Sequence, residues 1–359
     1  MFAKDDAGFT LKEMSLLDQF RQADALAPHM DAVAPPAAMP GGILDVRGSR
    51  LIAALPLEAR IGETALPFSF LGGNRVSLRV PEGTIPGDLT LRSGEHVSNA
   101  IAVQIAVPVS DNLHPITNPA VDTDGNIYAT FSGTRGQTVP VSIFRLDRDF
   151  QQRPFVRDLP NASGLAFGPD GFLYCSSRAE GTVYRIAPNG TMTQWAEGMG
   201  VATGLAFDAE GNLYVGDRSG TIFKINSAGN VFVFATLEPS VSAYHLVFND
   251  AGTLFVTGPT TSSNEVIHAI SPEGEVTIWF RGLGRPQGMA VDRDGNLYVA
   301  ASYRGERGIH RITPRREHSL SVSGSGLVGL AFLDDGAVVL ATTNSLYHVD
   351  MGVGGRLLG

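Results

Sequence analysis

Residues 204–217 read GLAFDAEGNLYVGD: an apolar run, a turn holding two carboxylates and a glycine, then a second apolar run. The pattern returns as NPAVDTDGNIYAT from Asn118, GLAFGPDGFLYCS from Gly164, HLVFNDAGTLFVT from His245, GMAVDRDGNLYVA from Gly288 and GLAFLDDGAVVLA from Gly329. An Asp-Gly pair between short apolar runs is a strand–turn–strand signal, because glycine accepts the backbone conformation a tight turn requires. The turn glycines are Gly125, Gly171, Gly211, Gly252, Gly295 and Gly336, at intervals of 46, 40, 41, 43 and 41 residues.

Each interval has room for four strands; in the unit opening at Gly204 these are 204–207, 212–217, 220–226 and 231–236. A period of about 40 residues with four strands per unit is the mark of a β-propeller blade, and a blade must stack on its neighbours to bury its faces. Six repeats predict a six-bladed β-propeller over 109–359. The fourth strand of the last blade is either 353–358 or one borrowed from 105–109; the sequence leaves both open.

Ahead of the repeats, VAPPAAMPGG at 33–42 is a proline-rich connector, and 43–107 breaks into short apolar pieces between turns. Strict alternation in Val76-Ser77-Leu78-Arg79-Val80 marks a strand with one buried and one wet face. Several such strands in one short segment predict a β-sandwich over 33–108. Residues 1–32 are expected to hold a short helix and a connector: Thr10 and Glu13 form a capping box, Phe9 and Met14 its staple, and Pro28 ends the helix. The expected fold class is all-β apart from that N-terminal helix.

Composition narrows the function classes. Hydrophobic residues at 43% exclude disorder, while 42 glycines and 21 prolines suit many short strands. A net charge of −9 without a Lys/Arg stripe argues against a nucleic-acid partner. Cys175 stands alone, so no internal disulfide is expected. No apolar run approaches the roughly 20 residues of a membrane span. The acidic N-terminus MFAKDDAGF lacks the basic-then-apolar pattern of a secretory leader, which points to the cytoplasm. A chain beginning after a removed leader would read the same, so export stays open.

In a propeller the innermost strand of each blade lines an axial channel, and the residue before it faces one mouth. Those positions are Asn118, Ser163, Thr203, Tyr244, Gln287 and Val328, with His114, Arg285 and His245 beside the same rim. A convergent polar ring in a concave mouth is the default ligand site. Asn118, Ser163, Thr203, Gln287, His114 and Arg285 are therefore the candidate ligand-binding residues. His245 replaces the glycine that opens four of the other five inner strands. With Tyr244 it makes a candidate acid–base pair; the alternative is a histidine packed between blades. Asp217 is, with Asn118, a candidate metal ligand, although a turn aspartate capping N–H groups near Ser219 and Gly220 is the commoner use. The turns at 122–126 and 292–296 resemble half of a calcium-binding loop, but lack its bidentate Glu and flanking helices and read as hairpins. His268, His310 and His348 recur on third strands and carry no assigned role. No nucleophile-elbow, HExxH or phosphate-loop motif is present.

Two resemblances add to this. Pro40-Gly41-Gly42 with Val46-Arg47-Gly48, then ARIGETALPF, RVSLRVPEG and PGDLTLRSG with Val97-Ser98-Asn99, resemble an immunoglobulin-like IPT/TIG domain, a group of spacers and interaction modules. The strand–turn–strand repeats, with ITPRR, APNGTMTQW and SPEGEVTIW at blade ends, resemble both NHL-repeat propellers and the gluconolactonase/regucalcin-like group. The second group implies a divalent metal, usually calcium, held in the channel mouth by a Glu and by an Asn and an Asp that precede inner strands. Asn118, Ser163, Thr203 and Tyr244 stand at the matching positions, and none of the six rim positions is acidic. The expectation is a propeller that binds a small molecule, glycan or protein at its mouth without the full metal site. The alternative is a metal-dependent hydrolase of a lactone or related small ester; a lyase using a channel histidine and a metal would rest on His245 alone.

Overall fold

A computed structural model describes residues 27–355 except 135, 136, 138 and 263. The described chain is all-β, with no helix among the described residues and none long and apolar enough to cross a membrane. The helix expected around Thr10 and Glu13 lies outside the described residues.

Residues 29–105 form two facing sheets. One orders His29–Ala34, Ile43–Ser49, Arg75–Arg79 and Phe68–Gly72; the other centres on Leu57–Ile61, Gly87–Ser93 and Ile101–Ile105. Leu44, Val46, Val76 and Leu78 from the first meet Ala59, Ile61, Leu89, Leu91, Val103 and Ile105 from the second in one core. Period-two alternation produces this: Leu44 and Val46 are fully buried, whereas Arg47 in the same strand is exposed.

From residue 107 onward the pairings fall into six four-stranded antiparallel units. Unit one holds Ala120–Val121, Ile127–Thr130, Ile143–Leu146 and Gln152–Val156. Units two and three open with Ala162–Phe167 and Ala202–Phe207, and units four, five and six with His245–Phe248, Met289–Val291 and Leu327–Phe332. Each opening strand lies beside the next, and that of unit six beside that of unit one, so the units follow one another in a closed ring. Six apolar clusters fill the six seams between neighbours.

The repeated sequence accounts for both turn and seam. Asp122, Asp208 and Asp292 each accept the N–H groups two and four residues ahead, at 2.8–3.1 Å. The glycine three residues after each aspartate has a φ between +77° and +81°. These carboxylates are thereby used within their own hairpins. The aromatic residue of the second strand then crosses the seam edge-on: Tyr128 meets Phe167, Tyr174 meets Phe207 and Tyr214 meets Phe248, with ring centroids 4.9–5.2 Å apart.

The outer strand of unit six is supplied from the other end of the repeat array. Val107–Ser110 pairs antiparallel with Leu346–Asp350, while 353–354 carry no strand and the residues from 356 lie outside the described chain. Of the two closures the sequence left open, the borrowed strand is the one formed. A second joint fixes the sandwich: Ala37–Ala38 pairs in parallel with both Ile101–Ile105 and His318–Ser323, running the sandwich sheet into unit five. Met39 N–H donates to the Ser323 carbonyl at 2.8 Å and Ile43 N–H to the Ser323 hydroxyl at 2.9 Å.

Tyr174 sits between Phe207 and Trp195 at 5% exposure. Tyr174→Ala should cost about 3–5 kcal/mol through loss of seam packing, and Tyr174→Phe about 1 kcal/mol through loss of the Asp170 hydrogen bond. Urea unfolding midpoints at constant slope check both values.

Candidate functional site

Two cavities follow the ring's axis. The first is a narrow channel of about 60 Å³ between the opening strands, lined among others by Gly164, Gly204, Ala290, Leu330, Asn118 and His245. Register determines which residues reach it. Ala120 pairs with Tyr128 as Ala166 pairs with Tyr174, so Asn118 stands level with Gly164, and Thr117 is level with Ser163. This corrects the expected rim by one residue in unit one. The level that includes Asn118 reads Asn118, Gly164, Gly204, His245, Gly288 and Gly329 around the ring, and only units one and four contribute a side chain with polar atoms.

Asn118 is already committed. Its amide nitrogen donates to the Met289 carbonyl at 2.6 Å and its oxygen accepts the Leu330 N–H at 3.2 Å, tying unit one to units five and six. His245 is 2% exposed, and its Nε2 has no hydrogen-bond partner. Burial pushes its pKa down to about 3, so the imidazole is neutral at physiological pH. Tyr244 does not join it. The Tyr244 ring lies in the seam between units three and four against Gly216 and Gly258, and its hydroxyl donates to the Glu238 carbonyl. Burial pushes that phenol up to about 12, with the Glu238 and Asp217 charges adding to it. Consecutive residues on a strand point to opposite faces, so the expected acid–base pair is not assembled.

Ser163 and Thr203 also turn into the seams. The Ser163 hydroxyl donates to the Asn161 carbonyl at 3.0 Å; the Thr203 hydroxyl donates to the Gly216 carbonyl at 2.9 Å and accepts the Tyr244 N–H at 3.0 Å. Asp217, 5% exposed, accepts the Val201 N–H at 2.7 Å on one oxygen and the Ser219 hydroxyl on the other. It pins the end of a second strand to the loop entering unit three. His114, half-buried, packs edge-on to Phe131, and burial and then the Arg178 charge lower its pKa.

The donor set does not suit a divalent cation. Asn118 and Asp217 are used internally, no carboxylate lines the channel, and no group of three or more His, Cys, Asp or Glu among the described residues could hold a metal ion. Calcium takes six to eight oxygens and draws most of its affinity from anionic ones.

The second cavity, of about 520 Å³, opens at the end of the ring where the opening strands begin. Its position follows from an extra pairing: the fourth strand of unit four, Val276–Gly284, continues onto the second strand of unit five, with Leu283 opposite Tyr303 and Gly284 opposite Ser302. That ladder presents Arg285, Gln287 and Ser302 to one space, shared with Ser242, Arg307, Ser325, Val328 and Thr343. Of the rim residues expected from sequence, Arg285, Gln287 and Val328 are here. Gln287 donates to the Leu327 carbonyl at 3.2 Å, which fixes its side chain at the wall. Ser302 and Arg307 were missed because they face each other at the end of the second strand and the start of the third in unit five, away from any opening strand; the polar RGERG run at 304–308 was the available signal.

No family model matches the chain, and no curated protein matches it in sequence. Solved structures do match in fold. A structural-genomics protein of unknown function from Bacteroides thetaiotaomicron aligns at a TM-score of 0.56 and 12% identity, over 90% of this chain and 98% of its own. An auxiliary nutrient binding protein from the same organism aligns at 0.53 and 10%, over 90% and 98%. A gluconolactonase from Xanthomonas campestris aligns at 0.56 and 15%, over 69% and 90%. The likeness is one of fold: propeller-like sheets.

Since the His245 pKa is lowered from its unfolded value near 6.5, its contribution to stability is fully present above pH 6.5 and is lost as pH falls toward about 3. Across that window the wild type should lose up to about 1.4 kcal/mol per pH unit more than His245→Leu. His310, pushed down to about 4 mainly by burial, acts in the same direction in both proteins and cancels in the difference. Urea unfolding of both proteins at stepped pH reads this.

Proposed function

We propose that the chain is a six-bladed β-propeller behind an IPT/TIG-like, immunoglobulin-type sandwich, and that it binds a small molecule, glycan or protein at the mouth near Gln287, without a metal centre. The observation that carries this is the contrast between the two cavities. The axial channel offers one neutral, buried imidazole and an amide whose two ends are spent on backbone. The mouth offers a wide concave surface bearing amide, hydroxyl and guanidinium groups, with no acid–base pair and no metal ligands. Such a surface fits recognition better than bond cleavage, which needs a poised base or an activated water.

The extent of the structural alignments is consistent with this. The nutrient-binding protein aligns along 90% of the chain, sandwich included, whereas the gluconolactonase aligns along 69%. A likeness in fold leaves function to the site residues, and these differ from what metal-assisted lactone hydrolysis requires.

Isothermal titration with a panel of mono- and oligosaccharides and small metabolites, beside a lactone-hydrolysis assay, tests the reading. A ligand should be found whose affinity falls about tenfold in Gln287→Ala, while calcium or a chelator leaves the melting temperature unchanged. Calcium-dependent stabilisation together with lactone turnover that disappears in Asn118→Ala would establish the hydrolase instead.

A further inference from the structure

The whole chain carries a net charge of −9, yet the mouth contains two arginines, Arg285 and Arg307, and no aspartate or glutamate. Among the described residues neither guanidinium has an acidic partner within 4.0 Å, whereas Arg75, Arg148 and Arg185 are matched to Asp45, Asp334 and Asp170. Glu306, next to Arg307 in sequence, lines the adjoining groove against the sandwich; Arg307 stands between that groove and the mouth, and Asp45 in the groove is taken up by Arg75 and Ser77.

Arg285 is held in place at a cost. Its φ is +47°, a left-handed conformation that non-glycine residues rarely adopt, and it precedes the buried Pro286, which further disfavours helical geometry. The residues on either side leave it little choice. Gly284 is so close to Ser302 that a Cβ would lie 2.2 Å from its hydroxyl, and Gln287 is fixed through its own N–H to Ala300 and its side chain to Leu327. Arg307 comes from the strand Glu306–Ile312, held at the mouth by its carbonyl accepting the Gly324 N–H at 3.0 Å. Two independently anchored backbones therefore bring two exposed arginines to one concavity, where like charges in a cleft reinforce one another's field.

Resting on the reading of this mouth as the ligand site, we propose that its ligand bears an oxyanion, a carboxylate or a phosphate group, clamped by Arg285 and Arg307. A planar guanidinium donates two parallel N–H bonds to such a group, and a pair of them discriminates against neutral analogues. Gln287 and the serine and threonine hydroxyls of the wall then read the uncharged remainder of the ligand.

The test uses the full chain, with citrate, glucuronate and inorganic phosphate as probes and glucose as the neutral control. Titration calorimetry at low and high salt is run on the wild type and on the double variant Arg285→Gln/Arg307→Gln. Both side chains are exposed, so the variant should keep the wild-type melting temperature. The expected result is binding of at least one anionic probe, weakened by salt and by about tenfold or more in the double variant, with the carboxylate and phosphate arms showing which oxyanion is preferred. Equal binding to wild type and double variant, or no anionic probe binding the wild type, overturns the proposal. A neutral ligand lost in Gln287→Ala but retained by the double variant overturns the charge inference while sparing the mouth; failure of every ligand at the mouth removes both.

Discussion

The close approach of the six opening strands around the axis is the constraint from which the rest follows. A Cβ added at Gly164 would lie 2.2 Å from the Thr203 carbonyl oxygen, and one at Gly204 would lie 2.3 Å from that of Tyr244. Glycine is needed at that level because neighbouring backbones touch there. The narrow axis brings each second-strand tyrosine within reach of the next unit's phenylalanine, so axis and seams are set together. Where the glycine is missing the ring compensates. Asn118 hydrogen-bonds to the backbone of units five and six, and His245 buries an imidazole whose desolvation keeps it neutral.

A ring of like units has two free edges until something joins them. Here the joining strand, Val107–Ser110, follows directly on the sandwich strand Ile101–Ile105, so the same stretch that closes the ring also ties the sandwich to it. The Ala37–Ala38 ladder to His318–Ser323 adds a second attachment on unit five. Two attachments in different units restrain the sandwich far more than a single linker would. They also explain why the groove shared by Arg75, Arg79, Glu306 and Arg307 has defined walls.

Much of this architecture was legible in the sequence. The turn glycines mark the units because a positive φ at each hairpin demands them, and the alternating Val76–Val80 stretch marks a half-buried strand. What remained open was the donor of the last outer strand: 353–358, VGGRLL, reads as a thin strand and 105–109, IAVPV, as a more apolar one, but pairing partners far apart in the chain leave no local trace. The site was less legible. The rim set took Asn118 as level with Ser163, although counting back seven residues from the turn glycines puts it level with Gly164, one level deeper, as the Ala120–Tyr128 pairing shows. Tyr244 and His245 are adjacent in sequence yet belong to different faces, a separation that period-two geometry requires. Arg307 and Ser302 were invisible to a reading confined to opening strands, because the extra ladder from Val276–Gly284 to Leu297–Tyr303 lies outside the repeat.

The distribution of acidic residues bears on what the molecule can recognise. Asp122, Asp208 and Asp292 are turned onto the amides of their own hairpins, at the end of each opening strand away from the mouth. Asp217, nearer the mouth, has both oxygens occupied by Val201 and Ser219. The fold thus consumes carboxylates in building turns and leaves none on the mouth wall, while Arg285 enters the mouth from the link between units four and five and Arg307 from the start of the third strand of unit five. A repeat that spends its acids on geometry can carry a negative overall charge and still present a locally positive opening, because at a concave wall the local side chains, within a Debye length of about 8–10 Å, outweigh the distant net charge.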